Sequence, residues 1–521
     1  MYKEIVMKTI LLALMLSLSF VTYASNLASN THIENDVIIG TPKSKPKTYN
    51  DYHSLTLEQL PKQQVKEPYS IYPSSRSDYV PNDTYYNEQV HWLAPTTQYL
   101  SYNNILPSVQ RLSPMRRPVV GIIDSGFYAH PDLIYADGYD MVTLGDAQRG
   151  ENYLMRESDD EEHFCNVHGT GVAAVAVATR DNNLGFAGIA DGDFLATRSM
   201  DCGFGYLSDS SDALLWQIGK PVEDIRPATV TADVVNMSLG GTVDHCPDFM
   251  QNAITEAVNS GVPVIAAIGN NEMDASEFTP ANCNGVINVA AASREGELFS
   301  SSNFGTLIDI AALGDFVASA TEDPDGVGWW EESSFSAPIV TGVLANAVSE
   351  FGLLSNAEIK FFLAVTATPF AAGQCDDSNR CGPGIMDANA FHSSLREYKN
   401  GDLVTLKPAL SNTEFCDKDL YATDDNELAM LCETYELVMP VHQSNRSDIR
   451  FEVMVFVKDD TMQYANGQVV ATSTSSRMLM SALDMSSNDY GVRMCNTERC
   501  FGDTAIKINS SSTALPAKCN Q

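Results

Sequence analysis

Positive charge is what this 521-residue chain lacks most: 32 lysines and arginines stand against 67 aspartates and glutamates, a formal charge of −35. So acidic a surface repels phosphates and anionic headgroups, which argues against a nucleic-acid partner and against docking onto a charged membrane. Long apolar runs are missing as well. Beyond the N-terminus no stretch reaches the roughly 18 consecutive apolar residues of a membrane span, so none is expected. No Cys-x-x-Cys pair occurs, which removes the usual frame of a structural zinc site. HExxH, GxSxG and phosphate-loop patterns are absent too, leaving zinc proteases, α/β-hydrolases and NTPases without support.

What is present is ordinary globular usage, 44% hydrophobic and 19% charged, in a chain long enough for several domains. At the start, Lys3 and Lys8 precede an apolar run from Thr9 to Val21, followed by the small-x-small pattern Thr22-Tyr23-Ala24. This reads as a secretory signal peptide over residues 1–24, so the mature protein is expected to be soluble, secreted and extracellular. Export gives the 11 cysteines a meaning, because disulfides persist outside the reducing cytosol. Five bridges and one leftover thiol are expected, with Cys519 the candidate for the leftover.

Residues 25–85 are rich in Tyr, Pro, Ser and Asn, with weak periodicity, and read as a leader or propeptide-like segment. From Pro118 the texture changes. PVVGIID, HGTGVAAVAVAT, ADVVNMSLGG, PDFMQNAITEAVNSG and VPVIAAIGN alternate short apolar strands with helix-like stretches. Continuous apolar strands separated by helices predict an α/β domain with a parallel sheet covered on both faces. It is assigned to residues 86–399. Beyond Asn400 the helical signal fades, and segments such as IRFEVMVFVKD predict a separate β-rich domain over 400–521, a sandwich.

In open α/β sheets, functional groups gather at the carboxyl ends of the strands. The strand VVGII stops at Asp124-Ser125-Gly126. His168-Gly169-Thr170-Gly171 opens a helix of small residues, and Ser333-Ser334-Phe335-Ser336-Ala337-Pro338 opens another. Each alone has an everyday explanation, a turn or a helix cap. Together they supply a carboxylate, an imidazole and a hydroxyl, the set that acyl transfer needs. Asn270, at the end of the strand VIAAIGN, adds an amide that can donate to a developing oxyanion.

Taken in order, GIIDSG, HGTGVA, NMSLGG, AAIGN and SSFSAPIVTG resemble the subtilisin-like serine proteases, the subtilases, and in particular their secreted, disulfide-containing members from Gram-negative bacteria. FTPANCNGVINVAA, SSSNFGTLIDIAALG and CGPGIMDANA extend the resemblance across residues 80–395. It implies a three-layer subtilisin-like fold in which Asp124 orients, His168 acts as general base and Ser334 is the nucleophile, four residues before Pro338. It makes Asn270 the oxyanion donor. Ser238-Leu239-Gly240 becomes the strand that pairs with an extended substrate, and Ala267-Ile268-Gly269 the opposite wall of the S1 pocket. Ile268, in place of the usual Ala, is expected to narrow that pocket. Glu332 stands where the family usually has Gly; a carboxylate so close to the nucleophile could stabilise an imidazolium, favour a cationic substrate residue or, as the default expectation, point outward.

The resemblance also implies bridges Cys165–Cys202, Cys246–Cys283 and Cys375–Cys381, whereas Cys416–Cys432 and Cys495–Cys500 are suggested by proximity alone. No cofactor is required for the chemistry. Structural calcium is implied at the loop of Asp181 and Asn183, with Asp159 to Glu162 as further carboxylates that read equally well as a solvated acidic loop. The expectation is a monomeric, secreted serine endopeptidase acting on proteins and peptides. The alternative is a catalytically idle subtilase scaffold serving as an adhesin or binding module. The leader is short for a complete inhibitor fold.

Overall fold

The strands VVGIID, VVNM, VIAA, VINVAAA and IAAL are buried almost without interruption. Runs of this kind need cover on both faces of a sheet. The computed structural model describes residues 38–40 and 78–510, apart from gaps that include 145–148, 156–166, 202, 409–433 and 440–448. Seven parallel strands form its central sheet: β1 (Val119–Asp124), β2 (Tyr135–Asp140), β3 (Asp193–Arg198), β4 (Val234–Met237), β5 (Val264–Ala267), β6 (Val286–Ala292) and β7 (Ile310–Leu313). Their spatial order is β7-β6-β5-β4-β1-β3-β2. The chain passes from β1 to the edge strand β2, returns to β3 between them, then crosses to the other side of β1 and continues outward from β4 to β7. That reversal opens a crevice at the carboxyl ends of β1, β4 and β5.

Two cores lie against the two faces. Along β1 the side chains alternate, so Val120 and Ile122 join one core and Ile123 the other. The first core takes the helices α1 (Val167–Val177) and α2 (Ser333–Phe351), with Val172, Ile339 and Val343 packed among the strand residues. The second takes the helices Leu207–Gln217 and Asp248–Asn259 through Leu214, Met250 and Ile254. Each fully buried Ile or Leu contributes about 1.5–3 kcal/mol. Gly169 lets α1 press on the turn after β1, since a Cβ there would stand 2.3 Å from the Gly126 carbonyl oxygen. This three-layer arrangement is the expected α/β fold.

After the helix Ala388–Lys399 come two four-stranded sheets. One is ordered Arg477–Ser481, Thr434–Val438, Thr405–Pro408, Asn509–Ser510, and the other Gln468–Ser473, Arg450–Val457, Asn488–Cys495, Ile506–Lys507. Leu437 and Met478 of the first share one core with Phe451, Val453 and Val492 of the second. The same core continues into the α/β domain, where Phe361 lies 6.4 Å from Phe451 between ring centroids. The β-rich region is thus seated on the α/β domain and not only tethered to it.

Cys246 is bonded to Cys283, Cys375 to Cys381 and Cys495 to Cys500. The pairings suggested for Cys165–Cys202 and Cys416–Cys432 lie outside the described residues, as do the signal segment, Cys519 and Asp159 to Glu162.

Candidate active site

Asp124 ends β1 at the middle of the sheet and is fully buried. Its Oδ1 lies 2.8 Å from His168 Nδ1 and also accepts from the Ser125 N–H (2.7 Å) and hydroxyl (3.1 Å). With Nδ1 engaged on the carboxylate, the other ring nitrogen, Nε2, is left buried and without a hydrogen-bond partner among the described residues. His168 opens α1, and its ring packs edge-on against Phe335 at 5.6 Å and Trp330 at 6.3 Å. Phe335 follows Ser334, so the first turn of α2 meets the imidazole.

The three crowded serines separate by their hydrogen bonds. Ser333 donates both its N–H (2.9 Å) and its hydroxyl (2.7 Å) to Asn270 Oδ1. The Ser336 hydroxyl points back to the Glu332 carbonyl at 3.5 Å. The Ser334 hydroxyl makes no hydrogen bond among the described residues, and Ser334 lines the cleft. Because Ser333 holds the oxygen of Asn270, the amide NH₂ of Asn270 is turned free as a donor beside Ser334.

A proline explains the position of Ser334. Pro338 lies inside α2 and carries no N–H, so it cannot donate to the carbonyl four residues earlier, which is that of Ser334. The Ser238 hydroxyl supplies the missing bond at 2.7 Å, and Asn236 Nδ2 in turn donates to Ser238 Oγ at 2.9 Å. Thr341 closes the chain by donating to Asn236 Oδ1 at 2.9 Å. The end of β4 and the start of α2 are therefore locked by a buried polar network.

Ser238, Leu239, Gly240, Ala267, Gly269 and Asn270 share with Ser334 the lining of a cleft of about 250 Å³. Ile268 does not line it. Strand alternation turns its side chain away into a core with Ala275 and Ala290, where it is fully buried, so it narrows nothing. The narrowing comes from Phe278, which the sequence did not single out. Its ring lies between the two walls: a Cβ on Gly240 would meet it at 2.3 Å, and one on Gly269 at 2.9 Å. A Phe between polar loop residues reads as core, and nothing local marks it as a pocket floor.

A second occupant of the cleft was not anticipated. Residues Ile38–Gly40 form a strand antiparallel to Phe204–Tyr206. On the other side, the Gly40 N–H donates to the Gly240 carbonyl (2.9 Å) and the Gly240 N–H to the Gly40 carbonyl (3.3 Å). Ile39 is buried among Leu239 and Met200. Gly40 is required by space, since a Cβ would stand 2.9 Å from the Gly203 carbonyl oxygen.

Glu332 does not point outward. It sits at φ 82°, ψ 175°, a region that L side chains rarely adopt, and it also lines the cleft. Its Oε2 is buried without a hydrogen-bond partner among the described residues. Burial pushes its carboxyl above the usual range, Glu331 pushes it further, and His168 acts in the opposite sense.

At the loop Asp181–Gly185 the sequence pointed to Asp181 and Asn183. Both adopt left-handed backbone, and the Asp181 carboxylate accepts from the Tyr79 hydroxyl. The buried carboxyls nearby belong instead to Asp83 and Asp132, pushed up by burial to about 6 and about 7. Asn182 Nδ2 donates to Asp132 Oδ1 at 2.7 Å. Neither carboxyl has a cationic partner among the described residues, and hard oxygen donors without a counter-charge suit a calcium ion. The two carboxyls are part of the six to eight oxygen ligands that calcium takes, and no third acidic or imidazole group joins them within ligand reach among the described residues.

A parallel α/β sheet carrying a buried Asp–His pair and a free serine at adjacent strand and helix ends defines the subtilisin class. The Subtilase family profile matches residues 116–399, and the chain belongs to that family. It is 36% identical over 336 residues to an extracellular protease of Xanthomonas campestris pv. campestris, covering 60% of this chain and 56% of that protein. To an extracellular basic protease of Dichelobacter nodosus it is 30% identical over 342 residues, covering 60% and 55%. The chain thus spans little more than half the length of these curated relatives. Among solved structures, a protease of Pseudoalteromonas arctica matches with TM-score 0.53 and 30% identity, over 60% of this chain and 98% of that one.

Proposed function

We propose that this protein is a secreted serine endopeptidase that cleaves extended polypeptide through an acyl-enzyme. The observation that carries the reading is the Asp124–His168 contact beside a serine whose hydroxyl, unlike its two neighbours', is uncommitted. His168 Nε2 takes the proton of Ser334 as the hydroxyl oxygen attacks the scissile carbonyl, and Asp124 holds the tautomer and stabilises the imidazolium. Asn270 Nδ2 and the Ser334 N–H stabilise the oxyanion. His168 then protonates the leaving amine, and water, deprotonated by the same nitrogen, releases the acyl group. The membership and the relatives named extracellular proteases support this chemistry and an extracellular site of action.

The leader strand supports the mode of recognition. Ile38–Gly40 lies as the middle strand between Phe204–Tyr206 and Gly240, the way a polypeptide adds to exposed sheet edges. We read residues 25–85 as a leader that blocks the cleft it occupies, 86–399 as the catalytic domain and 400–521 as an accessory β domain. Asp83 and Asp132, with Asn182 beside them, would hold a calcium ion that stabilises the fold and takes no part in the chemistry.

The test is casein and peptide cleavage by the exported protein beside Ser334→Ala, with a serine-directed phosphonylating inhibitor. Inhibitable cleavage lost in the variant supports the assignment. Cleavage surviving Ser334→Ala rejects it, and a folded, processed wild type without activity favours the idle scaffold.

A further inference from the structure

We propose that Glu332 is a specificity residue that selects a cationic side chain, lysine or arginine, next to the scissile bond. The inference rests on the endopeptidase reading above and adds the class of peptide that the site prefers. Glu332 immediately precedes Ser333 and Ser334 and shares their cleft with Asn270. Its backbone takes a conformation that is strained for a residue with a side chain, and such strain persists only where the surroundings enforce it. Here they do: the Glu332 N–H donates to the Gly314 carbonyl at 2.7 Å, and its carbonyl accepts from the Phe335 N–H at 3.1 Å. A glycine would sit in this geometry without strain.

The carboxylate that results is poorly provided for. Oε2 is buried and unpartnered among the described residues, and the charge beside it, on Glu331, is of the same sign. No lysine or arginine pairs with Glu332 among the described residues. A half-buried carboxylate of this kind loses hydration without gaining a counter-ion, and an arriving ammonium or guanidinium restores the balance. The other groups bearing on it are the His168 ring and the hydroxyl of Ser301. The cleft wall therefore presents one unsatisfied negative group within the lining that also holds the nucleophile. A peptide with a cation flanking the scissile bond satisfies it, and an isosteric neutral peptide does not.

The experiment compares kcat/KM at low ionic strength for internally quenched peptides that differ only in lysine or norleucine at each of the two residues flanking the scissile bond. The enzymes are wild type, Glu332→Gln and Glu332→Gly. The expected result is a lysine-over-norleucine ratio of about tenfold or more in the wild type at one of these positions, falling close to one in both variants. Glutamine keeps the size of the side chain and removes its charge, while glycine removes the strain as well. A ratio unchanged in Glu332→Gln overturns the inference, as does a wild type that cleaves the norleucine peptides equally well. A wild type that cleaves no peptide overturns the endopeptidase reading itself, so the two failures are distinct.

Discussion

Replacing Ser238 with alanine removes the hydroxyl that serves the Ser334 carbonyl, the group left without a helical donor by Pro338. Ser238 is fully buried and Ser334 is 2% exposed, so no water takes over. An orphaned buried carbonyl costs about 1–3 kcal/mol, and Asn236 Nδ2 loses its acceptor in the same step. At roughly 2–4 °C per kcal/mol for a domain of this size class, Tm should fall by several degrees. The decisive measurement is a double-mutant cycle, in a Ser334→Ala background that prevents self-digestion. Pro338→Ala restores an N–H aimed at the Ser334 carbonyl, so the cost of Ser238→Ala should shrink by about 1 kcal/mol or more in its presence. Calorimetric Tm values of the four proteins supply the cycle. Strict additivity would mean that Pro338 does not create the need that Ser238 meets.

Asn270→Ala should lower kcat by about 10²–10³ with little change in KM, because its free amide acts on the oxyanion and not on the bound peptide; steady-state kinetics on one chromogenic peptide decides it. Asp83 and Asp132, raised to about 6 and about 7, hold protons more tightly in the folded state, so without a cation stability falls as pH rises from about 4 to about 7. A bound calcium ion offsets this loss only where the carboxyls are ionised. Chelation should therefore lower Tm more at pH 8 than at pH 5, and equal shifts at both would remove calcium from this pair. Ile39→Asp places a charge in a buried pocket, so a leader peptide carrying it should inhibit the processed enzyme at least about tenfold more weakly than the native leader sequence.

Much of the site was legible because its groups lie at strand and helix ends that the sequence marks. Asp124 closes an apolar strand, His168 and Ser334 open helices of small residues, and Asn270 follows another apolar strand. The directions of side chains were not legible. Ile268 was assigned to the pocket by its position in a wall, yet a one-residue step along a strand reverses the face. Ile38–Gly40 reaches the cleft from a segment distant in sequence, and no periodicity encodes where it returns; Phe278, in the short strand Phe278–Thr279, lies close to Asn270 in sequence, but nothing local marks its ring as facing the cleft. Glu332 misled for a different reason: an acidic residue in a turn ordinarily seeks water, and only the positive φ directs this one inward. The β-rich region was visible as strands, but its shared core with the α/β domain was not, since apolar residues of a strand do not declare which neighbour they meet.

The leader strand has a consequence for how activity would first appear. While Ile38–Gly40 is covalently joined to the rest of the chain, its contacts with Phe204–Tyr206 and Gly240 form within one molecule, and their strength does not fall on dilution. Once the connection between Gly40 and the catalytic domain is cut, the same contacts become an ordinary bimolecular equilibrium. Dilution into a large extracellular volume would dissociate the severed leader, so that secretion itself, by lowering concentration, would act as the signal for onset.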